Sequence, residues 1–84
     1  MSDETAISPE TARHVLWLFG RQGGVQPGSF TQRLMAAIDA ADVLNQQKIA
    51  NEYPDLVAAI RMAGNDDTGI ATLQQIAGND EVAA

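Results

Sequence analysis

The chain has 84 residues, eleven of them acidic and five basic, a net charge of −6 and no cysteine. That length holds one domain with a thin stability margin, because so small a chain hides only about 60–65% of its unfolded surface. The charge disfavours nucleic acid and anionic membrane, whose phosphates need clustered Lys and Arg, and the missing cysteines exclude disulfides, thiolate metal sites and a thiol nucleophile.

No apolar run approaches the ~20 residues that span a bilayer; the longest is Val15–Phe19. The start, Met1-Ser-Asp-Glu4, lacks the basic-then-apolar layout of a signal peptide, so a soluble cytoplasmic protein is expected. Residues 1–7 read as a short flexible arm. Ser8-Pro9-Glu10 then opens a first helix, with Ser8 as N-cap, Pro9 in the first turn and Glu10 at the positive end of the dipole. This helix should run to about Arg21 and stop at Gly23-Gly24. Ala12, Val15, Leu16 and Phe19 form its core stripe, and Glu10, Arg13, His14, Trp17 and Arg21 the opposite one. Trp17 thus lies on the polar face with an arginine four residues away on each side. A helix apolar around its whole circumference from Val15 to Phe19 is either central in a bundle or part of an interface.

The segment 21–28 lacks the spacing of a phosphate loop and reads as a helix–helix connection. The next helix, about residues 29–41, has the clearest start signal: Pro27-Gly28 turns the chain, and Ser29 and Gln32 have the spacing of a capping box. Phe30, Leu34, Ala37, Ile38 and Ala41 form its apolar stripe. Asp42 is a candidate cap for a third helix, 43–52, with one long bent helix as the alternative. Tyr53-Pro54 forces a boundary, and a fourth helix follows with Leu56, Val57 and Ile60 inward, Ala59 and Ala63 beside them, and Gly64 as a left-handed stop. A last helix, about 69–77, carries Ile70, Leu73, Ile76 and Ala77; Gly78 ends it, and 79–84 form a flexible tail. The expected fold is therefore all-α, a compact bundle of four to five short helices spanning residues 8–78.

Tests for chemistry come out negative. A calcium loop with Gly69 sixth would need Asp and Glu where Gly64 and Gln75 stand. His14 is the only histidine and has no second nitrogen or sulfur ligand, and Asp66-Asp67 and Asp80-Glu81 sit in turn and tail. No catalytic, cofactor-binding or metal-binding residue is expected, and the chain reads as non-enzymatic. Helices two and three could form a helix-turn-helix, because Asn45, Gln46, Gln47 and Asn51 are able to read adenine edges, yet Lys48 is the only basic residue there. The expected function is protein–protein interaction, either with another protein or between copies of the chain. Its surface would centre on Trp17 with Arg13, Leu18, Arg21 and Tyr53, as suits an interface anchor. The competing reading buries Trp17 under its own chain. A different alternative is an acidic DNA mimic presenting Asp39, Asp42, Glu52, Asp55, Asp66 and Asp67 on one surface.

Trp17 and the run Gly24-Val-Gln-Pro-Gly-Ser-Phe30, then Ala40-Ala-Asp42 with Asn45, then Tyr53-Pro54 and Val57-Ala-Ala59 resemble a pattern in small uncharacterised helical proteins of actinobacteria and their bacteriophages. The resemblance covers most of residues 15–77. Its motifs are mostly helix caps, so it implies a compact helical fold and a phage or actinobacterial setting; the interaction module would then be a phage accessory protein that binds a host protein or self-associates. It carries over no functional residue.

Overall fold

The computed structural model describes residues 6–83, with side chains described for 6–78. Five helices follow one another: α1 (Pro9–Leu18), α2 (Ser29–Ala40), α3 (Val43–Ala50), α4 (Pro54–Asn65) and α5 (Gly69–Ala83). There is no strand among the described residues. The protein is all-α, as its periodicities predict.

The expected cap opens α1: the Thr11 amide donates to Ser8 Oγ at 3.1 Å. The helix is shorter than predicted. It ends at Leu18, where Gly20 turns left-handed at φ +66°. The Gly20 amide donates to Trp17 O and the Arg21 amide to Leu16 O, which is the paired hydrogen bonding of a Schellman stop. Chain reversal therefore happens one turn before Gly23-Gly24. The connection then folds back along α1. The Val25 amide donates to Arg13 O at 3.1 Å, and Gly24 lies so close that a Cβ there would sit 2.5 Å from the Trp17 backbone nitrogen.

Ser29 does not cap α2. The N-cap is Gly28, Ser29 is the first helical residue, and no side chain completes the cap. Gln32 instead donates through Nε2 to Pro27 O at 2.7 Å, so the predicted capping box is replaced by a tie to the preceding turn. The buried face is also rotated from the predicted stripe. Met35 and Ile38 are fully buried and Leu34 partly so, whereas Phe30 and Ala37 are exposed. The break before α3 is present. Ala41 is extended, and Asp42 caps α3 by accepting from the Asn45 amide at 2.8 Å. No residue of α3 is fully buried; Ile49 and Ala50 pack on the core from its edge.

The core is centred on α1 and α4, with α5 packed extensively on α1. Ala12, Val15 and Leu16 meet Leu56, Val57, Ala59 and Ile60 from α4, Leu73 and Ala77 from α5, and Met35 and Ile38 from α2. The fourth helix buries the residues predicted for it. Gly64 is no stop: α4 continues to Asn65 and Gly64 has no positive φ. Gly78 likewise lies inside α5, which runs on to Ala83 where a tail was expected. Of the predicted arm, residues 1–5 lie outside the described part, and Ile7 packs against the core.

Two polar links hold the helices in register. Ser8 Oγ donates to Thr11 Oγ1, which donates to Asp55 Oδ2 at 2.9 Å and so joins the starts of α1 and α4. Gln46 donates through Nε2 to Ile38 O and accepts from Arg61 Nε at 2.8 Å, tying α2, α3 and α4 together.

Candidate protein-binding face

Two aromatic side chains stand out of the fold on one side. Phe30, at the start of α2, is 64% exposed, and Tyr53, just before α4, is 40% exposed. Their ring centroids lie 6.4 Å apart with planes tilted by 53°, an arrangement in which aromatic rings attract each other. Local geometry explains the placement. Tyr53 precedes Pro54 and takes φ −132°, ψ 60°, outside the helical region, as the clash with the proline ring requires. Its amide still donates to Ile49 O at 2.9 Å, so the end of α3 holds it in place.

Below the rings opens a cleft of about 230 Å³ between α1, α2 and α4. Glu10, Thr11 and His14 line it from α1, Phe30, Thr31 and Leu34 from α2, and Tyr53, Asp55 and Leu56 from the start of α4. Its charged walls are carboxylates: Glu10 is 79% exposed in its side chain, and Asp55 is held by the Thr11 hydroxyl. His14 Nε2 lies 4.0 Å from Glu10 Oε2, a contact that solvent screens to little net energy.

Along α2, Phe30, Leu34 and Ala37 recur at helical spacing and share one side of the helix, with Ala41 following at its C-cap. They lead to a second hollow of about 350 Å³ bounded by Ala37, Ala40, Ala41, Asn45, Lys48 and Ile49. Val43 and Leu44, at the start of α3, are 64% and 68% exposed.

The predicted site residues divide between two regions. Arg13 donates through Nη2 to Ala77 O at 2.9 Å and so helps dock α5. Trp17 and Leu18 are half-buried and pack against the core. The folded-back connection at Gly24 leans on the Trp17 backbone, and Arg21 is exposed beyond the end of α1. These four lie on α1 and its stop, whereas Tyr53 stands apart with Phe30. Helical spacing places Phe30 in the core stripe, whereas the structure leaves it exposed. The available signal was the Tyr53-Pro54 pair, which strands one aromatic at a helix junction.

Other predicted features take structural roles. Gln46, one of the residues offered for reading adenine, is committed to Ile38 and Arg61. Asp66 accepts from the amide and hydroxyl of Thr68, a local turn. No group of three His, Cys, Asp or Glu side chains able to hold a metal occurs among the described residues. No helix is long and apolar enough to cross a membrane among those residues. Comparison with protein families, curated proteins and solved structures gives no match.

Proposed function

We propose that this protein is a non-enzymatic interaction module that binds another protein through the Phe30–Tyr53 face. The observation that carries the reading is the touching pair of exposed aromatics. Phe30 remains mostly in water and Tyr53 partly so, although a chain this small needs apolar burial for stability, and exposed aromatics over a preformed cleft have the composition of an interface anchor. The proposed contact face moves away from Trp17, whose flank is partly used inside the subunit; Arg13, Trp17, Leu18 and Arg21 become at most a neighbouring region. In the phage or actinobacterial setting that the sequence pattern implies, the partner is a host protein.

The DNA-mimic alternative has less support. Asp42 and Asp66 are engaged in local caps and turns and Asp55 in a hydroxyl link. Asp55 and Asp66 also lie at opposite ends of α4, some ~16 Å apart along its axis.

The test is retention from host lysate by immobilised wild type and by a Phe30→Ala/Tyr53→Ala double variant with matched far-ultraviolet circular dichroism. A protein held by the wild type and lost from the double variant is expected. Equal retention by both would remove this face from the account.

A further inference from the structure

We infer that the cleft beneath Phe30 and Tyr53 receives an arginine side chain from the bound protein. The inference rests on the protein-binding reading and names the chemistry of its anchor. Three features of the cleft converge on a cation. Its rim carries two aromatic rings, and an aromatic face attracts a positive charge through its quadrupole. Its wall carries the carboxylates of Glu10 and Asp55, from α1 and α4 respectively. None of its lining residues is Lys or Arg; the titratable groups that face it are Glu10, His14, Tyr53 and Asp55.

The chemistry distinguishes arginine from other occupants. A phosphate or carboxylate would meet two like charges. A purely apolar side chain would displace water from Glu10 and Asp55 and offer no donor in its place, which is costly for carboxylates. Lysine satisfies the charge, but its compact ammonium does not stack. The planar guanidinium does both, lying against a ring while its edge donates to a carboxylate. The Thr31 hydroxyl adds an acceptor from the α2 side. The Thr11 hydroxyl is already committed, donating to Asp55 Oδ2 and accepting from Ser8 Oγ. The net charge of −6 works in the same direction at longer range, favouring encounter with a basic surface.

The experiment titrates the peptide acetyl-Ala-Arg-Ala-amide into isotope-labelled full-length protein and follows amide chemical shifts. Its citrulline counterpart, the same shape without charge, is the control. The expected result is saturable binding, roughly millimolar, with shifts concentrated at Glu10, Thr11, Thr31, Tyr53 and Asp55 and none of comparable size from the citrulline peptide. Phe30→Ala should weaken the arginine peptide by about two- to fivefold, the loss of one exposed cation–π contact. Glu10→Gln should weaken it by a similar factor, about two- to fivefold, with unchanged thermal unfolding. Absence of saturable shifts at these amides, or equal shifts from the citrulline peptide, overturns the inference. Its failure is separable from failure of the broader reading. If the arginine peptide does not bind while the Phe30→Ala/Tyr53→Ala variant still loses its lysate partner, the face stands and only the arginine anchor is wrong.

Discussion

Alanine substitution at Gly64 and at Gly69 should shift stability in opposite directions. Neither glycine has a positive φ, so neither is required for a left-handed turn. At Gly64 an added Cβ meets only Phe19 Cζ at 3.9 Å, an ordinary contact. The residue sits in the last turn of α4, where alanine lowers the conformational entropy of the unfolded chain and supports the helix. The gain is about 0.5–1 kcal/mol. At about 4–8 °C per kcal/mol for a domain of this size, Gly64→Ala should melt roughly 2–8 °C higher. At Gly69 the same Cβ would fall 1.8 Å from Met62 O and 2.6 Å from Met62 C, both backbone atoms. The start of α5 would have to move off α4, an overpacking cost of about 1–3 kcal/mol. Gly69→Ala should melt roughly 4–24 °C lower. Thermal unfolding followed by circular dichroism reads both variants, with urea titration as the equilibrium check. Destabilisation by Gly64→Ala of ~1 kcal/mol or more would mean that Gly64 is a left-handed stop after all, as its position in the sequence suggests, and would refute the geometry given for the end of α4.

Further outcomes follow from the polar links and the exposed rings. Thr11→Val removes the hydroxyl between Ser8 and Asp55 and should cost about 1–2 kcal/mol by urea unfolding, with Thr11→Ser recovering most of it. Gln46→Ala cuts the tie from α3 to Ile38 O and Arg61, costing about 1 kcal/mol and speeding amide exchange in α3 more than in α1. The Phe30→Ala/Tyr53→Ala variant should lose about 1–3 kcal/mol, since Phe30 is mostly solvated and Tyr53 about half so; a loss above about 4 kcal/mol by urea unfolding would assign both rings to the core instead.

Most of the architecture was legible in the sequence because its caps are chemically explicit. Ser8-Pro9, Asp42 and Tyr53-Pro54 each impose a local backbone geometry, and each marks a helix start in the structure. The stops were less legible. Glycine in a helix is only a modest local cost, and neighbours such as Ala63 beside Gly64 and Ala77 beside Gly78 pack on the core or lie within it and carry the helix through. The orientation of α2 was not legible either. Phe30, Leu34, Ala37 and Ala41 and the adjacent Met35 and Ile38 define two overlapping apolar faces. Periodicity alone does not choose between them; packing against α1 and α4 selects the face bearing Met35 and Ile38 and leaves Phe30 outside. The candidate face was therefore half visible: Tyr53 was identified, while Phe30 was assigned inward. Arg13 and Trp17 had the composition of a docking surface, yet Arg13 is engaged by Ala77, far along the chain, and the Trp17 backbone by Gly24, which returns to it only through the reversal at Gly20; no helical pattern reveals either contact.

Site-specific photo-crosslinking tests the location of the contact face most directly. A benzophenone side chain is placed at position 30, 53 or 21, and each protein is irradiated in host lysate. Adducts of one common mass from positions 30 and 53, with none from position 21, are the result expected for a face built on Phe30 and Tyr53. Adducts from position 21 alone would put the contact back at the end of α1 and contradict it.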